Sequence, residues 1–265
     1  YFKNIEQYLP WILKGKYIIR TENTFPHSSG IASSASGFGA IAKCLMALDE
    51  TFTGKNSEEE SLRKASFLAR LGSGSACRSL YNGLVVWGET DEVNGSSDLF
   101  AVQYPDTEIH EVFKNFNDWV LLIHEGQKSV SSTVGHGLMN TNPYAERRFQ
   151  EARENFAPMK DILKSGDMER FIKLVEHEAL TLHAMMMMSD PAFILMKTGT
   201  LEVINKIWDF RRETGLPLFF TLDAGANVHL LFPSDTSEEQ IKTFIEAELL
   251  QHTQKNGVVK DVMKF

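Results

Sequence analysis

Three short segments of this 265-residue sequence concentrate residue types that can hold an anion or move a proton. The first is Pro26-His27-Ser28-Ser29-Gly30-Ile31-Ala32-Ser33-Ser34-Ala35-Ser36-Gly37. Its small residues let a ligand approach the backbone, and its hydroxyls can bond phosphate oxygens or a bound magnesium ion. Ala35, Phe38, Ile41, Ala42, Leu45 and Leu48 follow at helical spacing, so a helix start would aim free N–H groups and a positive dipole end at the same point. The Lys that Walker A places after its last Gly is missing. A tight turn with a serine cap on an ordinary helix is the alternative.

The second segment is Gly72-Ser73-Gly74-Ser75-Ala76-Cys77-Arg78-Ser79. The planar fork of Arg78 can clamp a carboxylate or phosphate, and Ser73 and Ser75 can donate to the same anion. Alternatively, Arg78 is a surface side chain and Cys77 fills the core. Nothing near Cys77 in sequence would activate it as a nucleophile. In the third segment, Thr221 to Asn227, Asp223 closes an apolar run. A lone carboxylate there is a candidate base, or a turn-forming residue before Gly225. His177 and His183 do not match HExxH and fall on different helix faces. Met185 to Met188 read as helix core.

The elements that must position these residues mix without strict alternation, which predicts an α+β class. Within residues 1–20, a helix or long turn around Ile5–Leu9 ends at Pro10 and is followed by a short strand, Tyr17–Ile19. Helices are expected from Ser34 and from Ser57 to Arg70, then strands at Tyr81–Trp87 and Phe100–Val102. Trp119–Ile123 is the strongest strand signal, and the change of domain falls just before it, giving domains 1–115 and 116–265. Helices are predicted at 142–164, 167–189, 198–214 and 237–251. Leu216–Leu222 and Val228–Phe232 suit a hairpin or crossover, and Val258–Met263 a last strand.

Charge narrows the partners. Lys and Arg total 27 against 35 Asp and Glu, a formal charge of −8, so nucleic acid is not expected. No apolar run is long enough to span a membrane. Two cysteines outside any CxxC pattern argue against a zinc or disulfide framework and point to a reducing, cytoplasmic setting. The absence of an initiating Met reads as a piece of something longer.

In this order the segments resemble diphosphomevalonate decarboxylases, members of the GHMP kinase superfamily. Pro26–Ser34 is similar to the superfamily phosphate loop. Gly72 to Tyr81 is similar to the signature G-S-G-S-A-C-R-S-L-Y-G-G and departs from it at Asn82. Asp223-Ala224-Gly225-Ala226-Asn227 resembles D-A-G-P-N, with Ala226 in place of proline, and Ser131-Ser132-Thr133-Val134-Gly135 resembles a substrate-side S-T-V-G loop. The resemblance implies that roughly the family's first quarter, with a Lys and a Tyr near the substrate, is expected to be missing ahead of Tyr1. The chain alone is therefore expected to be feeble or inactive.

The resemblance implies a two-domain GHMP-kinase-like fold and ATP-dependent decarboxylation of (R)-5-diphosphomevalonate, with Mg2+ arriving on the nucleotide and no metal cage of the protein's own. It implies ATP contacts at Gly30, Ala32, Ser33 and Ser34, and substrate contacts at Ser73, Ser75, Arg78 and Ser132. Asp223 would act on the 3-hydroxyl, and Arg78 would hold the carboxylate. The expected assembly is a cytoplasmic homodimer. A superfamily small-molecule kinase, such as a mevalonate 3-kinase, and a non-catalytic nucleotide-binding protein are the alternatives.

Overall fold

A computed structural model of the chain describes residues 1–25, 31–124, 126, 130, 132–235 and 237–264. It has two compact units, the first of Tyr1–Phe25 with Ala32–Asp106 and the second spanning Thr107–Phe265. Both combine helices with antiparallel strands, the α+β class expected.

In the first unit, α1 (Phe2–Ile5) and the turns after it bury Ile5, Leu9 and Ile12. Helix α2 (Ser33–Thr53) buries Ala35, Gly39, Ala42, Leu45, Met46 and Asp49, a spacing of three and four that makes one inward stripe. The buried Asp49 carboxylate accepts from Lys64 Nζ and Trp11 Nε1, each at 2.7 Å. Helix α3 (Glu58–Gly72) packs on α2 through Ala65, Leu68 and Ala69. Its start is closed by a capping box: Ser57 Oγ accepts from Glu60 N–H at 3.3 Å, and Glu60 Oε2 accepts from Ser57 N–H at 3.2 Å. A 3-10 turn over Gly74–Leu80 leads to β1 (Val85–Trp87), paired with β2 (Ala101–Gln103) so that Val86 faces Val102.

The strand expected at Tyr17–Ile19 does not form. The segment joins no ladder among the described residues, and Ile18 is 88% exposed. Its residue types fit a strand, but a strand is stabilised by cross-strand partners rather than by propensity alone.

The second unit is a four-stranded antiparallel sheet with helices. Strand β3 (Asn115–Leu121) is followed by α4 (Ser132–Leu138), α5 (Ala145–Glu154), α6 (Phe156–Ser165), α7 (Met168–Met187) and α8 (Thr198–Thr214). Then come β4 (Phe219–Thr221), β5 (Val228–Pro233), α9 (Glu238–Phe244) and β6 (Val258–Lys264). The sheet order is β4-β5-β3-β6, with Trp119 between Leu230 and Lys260. Trp119, Leu121, Phe220, Leu230 and Phe232 meet Val203, Ile204 and Ile207 of α8, and Ile241 of α9, in the core.

The expected helix over 142–164 is broken after Glu154. Pro158 has no N–H to give to the Glu154 carbonyl four residues back, so the ladder restarts as α6. The last helix also changes pitch, with a π turn at Ile245–Leu249 and a 3-10 turn at Leu250–His252. In the methionine run, Met185 and Met186 are buried as expected, but Met187 and Met188 are exposed.

Candidate active site

The first unit carries the helix entry and the Arg78 segment. Ala32 precedes α2 in the left-handed region, φ 47° and ψ 38°, and has no side chain able to cap the helix. No acidic residue lies in the first turn, so the dipole end at Ser33 and Ser34 is uncompensated by the helix's own side chains. Gly30 lies outside the described residues.

The two serine-rich segments meet here. Ser34 Oγ and Ser73 Oγ are 3.1 Å apart, although 39 positions separate them in sequence. Two glycines permit the approach. A Cβ on Gly72 would overlap the Phe38 ring of α2, and one on Gly39 would lie 3.1 Å from Ser79 Cβ. Ser75 is half-buried. Arg78 is exposed and forms no ion pair with the described residues. Cys77 is buried, and its thiol donates to the Gly74 carbonyl at 3.1 Å. Burial pushes the Cys77 thiol up, which keeps it protonated and unreactive.

The second unit carries Asp223, half-buried between β4 and β5. Its Oδ1 accepts from Ala224 N–H at 2.7 Å, and its carbonyl accepts from Gly225 N–H at 2.7 Å. The 223–227 loop is then tied to three other elements. His183 Nε2 on α7 lies 3.2 Å from the Asp223 carbonyl, and Thr200 Oγ1 at the start of α8 donates to the Ala226 carbonyl at 2.6 Å. Asn227 Oδ1 accepts from His124 N–H, just beyond β3, at 2.9 Å. His183, Thr200 and Asn227 are all about 2% exposed or less.

Sequence reading gave none of these three a role in holding the Asp223 loop. For His183 and Thr200 the missing signal is simple: each bonds a backbone carbonyl, which leaves no mark on residue type. The available clue was a polar residue in a buried stripe, since Ile172, Glu176, Ala179, His183 and Met186 share one face of α7. Glu176 in that stripe has a structural explanation, a two-pronged pair with Arg211 at 2.8 and 2.9 Å and a bond from Trp208. Ser132 opens α4, and its side chain lies outside the described residues.

Comparisons with known proteins agree along the chain. Residues 1–100 match the diphosphomevalonate decarboxylase-like N-terminal domain, and residues 119–264 match the mevalonate 5-diphosphate decarboxylase C-terminal domain. The chain is 31% identical over 248 residues to diphosphomevalonate decarboxylase of Saccharomyces cerevisiae, covering 89% of this chain and 58% of that protein. It is 28% identical over 245 residues to the Ganoderma lucidum enzyme of the same name, again covering 58% of it. The chain thus spans a little over half the length of these relatives. Among solved structures, a mevalonate diphosphate decarboxylase from Legionella pneumophila superposes with a TM-score of 0.80 at 29% identity, over 97% of this chain and 75% of that one. Another neighbour, MDDEF in complex with MVAPP, AMPPCP and magnesium, gives 0.70 at 28% identity, over 91% of this chain and 70% of that one.

These likenesses, with the α+β units above, define a two-domain protein of the GHMP-kinase type. The match over most of the second unit is more particular: the chain belongs to the mevalonate 5-diphosphate decarboxylase family.

Proposed function

We propose that this polypeptide contributes the catalytic machinery for ATP-dependent conversion of (R)-5-diphosphomevalonate to isopentenyl diphosphate, ADP, phosphate and CO2. The observation that carries this reading is the 3.1 Å approach of Ser34 to Ser73, which joins the phosphate-loop segment to the family-specific segment ending in Arg78. Ala32, Ser33 and Ser34 present backbone and hydroxyl donors to the nucleotide phosphates, and Gly30 extends that loop. Magnesium, when bound with the nucleotide, neutralises phosphate charge during transfer.

Asp223 accepts the proton of the tertiary 3-hydroxyl as that oxygen bonds the γ-phosphorus and ADP departs. Phosphate is then a good leaving group. When its C–O bond breaks, the electron pair of the carboxylate C–C bond forms the alkene and CO2 is released. Arg78 holds the carboxylate in a two-pronged contact, and Ser73, Ser75 and Ser132 hold the anionic end. We place the functional division of the chain near residue 115, within the stretch 101–118 that neither family model covers. A cytoplasmic homodimer completes the proposal. Among the described residues no helix is long and apolar enough to cross a membrane.

The deciding experiment measures CO2 and ADP together, on the 265-residue chain and on any longer natural polypeptide that contains it. Equal amounts of the two support decarboxylation. ADP without CO2 would make the protein a kinase, and neither product in any form would leave a non-catalytic nucleotide binder. Light scattering tests the dimer.

A further inference from the structure

We propose that His183 is a positioning residue for Asp223, holding the peptide plane that aims its carboxylate. The proposal rests on the reading of Asp223 as the proton acceptor. The peptide unit between Asp223 and Ala224 is planar, with the Asp223 carbonyl on one edge and the Ala224 N–H on the other. The N–H edge donates to Asp223 Oδ1 at 2.7 Å, so the tilt of the plane sets where that carboxylate oxygen rests. The carbonyl edge meets His183 Nε2 at 3.2 Å. Rotating the plane would break both bonds together.

The chemistry fixes the state of the ring. A carbonyl can only accept, so Nε2 must carry the hydrogen. Burial lowers the basicity of His183, while the Asp223 carbonyl bond and the Asp223 charge pull the other way. The favoured form is thus a neutral imidazole protonated at Nε2, which donates without bringing a cation next to the base. His183 is 2% exposed, and its helix is anchored by Ala179 and Met186 on the same buried stripe. Thr200 holds the far end of the loop through the Ala226 carbonyl, and the Asp223 carbonyl also accepts from Gly225 N–H at 2.7 Å within the turn, so His183 is the contact that ties the carboxylate-bearing end to another element.

The test uses His183→Leu, which removes the donor, and His183→Gln, which can restore one. The first readout needs no turnover. In the 265-residue chain, exchange protection of the Ala224 and Gly225 amides should fall about tenfold in His183→Leu and recover in part in His183→Gln. The wild-type ring should show its hydrogen on Nε2 by nitrogen NMR. The second readout uses a polypeptide with measurable decarboxylation: kcat should fall by about 10²-fold in His183→Leu with KM nearly unchanged, and His183→Gln should regain part of it. Wild-type protection of both amides in His183→Leu would overturn the proposal, as would a ring hydrogen on Nδ1, or a fall confined to KM. If His183→Leu does not fold, the wild-type tautomer and His183→Gln decide alone. A wild-type protein without turnover would refute the activity proposed above and leave the amide and ring measurements to judge His183.

Discussion

The entry to α2 and the Asp223–Asn227 loop are built on opposite plans. In the loop, the carbonyls of Asp223 and Ala226 and the side chain of Asn227 are bonded to three separate elements, so Asp223 is held before any ligand arrives. Among the described residues the helix entry is left open: a left-handed Ala32, no side-chain cap and no carboxylate in the first turn. This openness is not a general habit of the chain, because α3 begins with a complete capping box and three glutamates. Groups already bonded set a side chain's aim, whereas groups left open are available to an external anion. The two plans suit a base and a phosphate cradle respectively.

The comparison breaks most sharply at Asp223. Asparagine keeps the shape and can still accept from the Ala224 amide, but it is no longer a base. In a polypeptide with measurable turnover, Asp223→Asn should lower kcat by about 10²–10⁴ while the melting temperature stays close to wild type. Retained turnover would reduce Asp223 to a turn residue. Arg78→Lys comes next. A point charge cannot reproduce a planar two-pronged contact, so kcat/KM should fall about ten- to a hundredfold, and normal kinetics would return Arg78 to an ordinary surface side chain.

Much of this was legible from residue types, and the exceptions share a cause. The start of α3 could be read from the carboxylates of Glu58, Glu59 and Glu60 after Ser57, and part of β3 from Trp119–Ile123, because both signals lie within a few consecutive positions. The strand itself begins at Asn115 and ends at Leu121. Tyr17–Ile19 misled because a strand needs a partner that local sequence cannot supply. The break between α5 and α6 was written in Pro158, inside a stretch whose pattern is helical on both sides. At the candidate site, the motifs marked Ser34, Ser73 and Asp223, but not the bond between the two serines. His183 stayed hidden because its partner is a main-chain oxygen 40 residues away.

The open end of α2 gives a milder test. In Ser34→Leu, the hydroxyl beside Ser73 is replaced by a branched apolar chain where phosphate oxygens are expected to approach. Nucleotide affinity, measured by calorimetry, should fall about tenfold, the worth of one hydrogen bond to a charged group. The α2 fold should be little changed, because Ser34 is exposed while the buried stripe starts at Ala35. Unchanged affinity would move the phosphates away from this helix end.

The smallest expected effect is at the closed end, and it sharpens the contrast. Ser57 accepts from the Glu60 amide, and its bonds to the Glu60 carboxyl hold that group below the usual carboxylate range. Ser57→Ala removes the cap and leaves the first-turn amides of α3 to water. The loss in unfolding free energy should be about 1 kcal/mol, the usual cost of deleting a serine cap. Nucleotide affinity should not change, because an end satisfied by its own side chains has nothing to offer a phosphate. Denaturant unfolding and the same calorimetric titration make the comparison. If Ser57→Ala weakened nucleotide binding as much as Ser34→Leu, the difference between the two helix starts would have no functional meaning, and the phosphate site would have to be sought on other elements of the first unit.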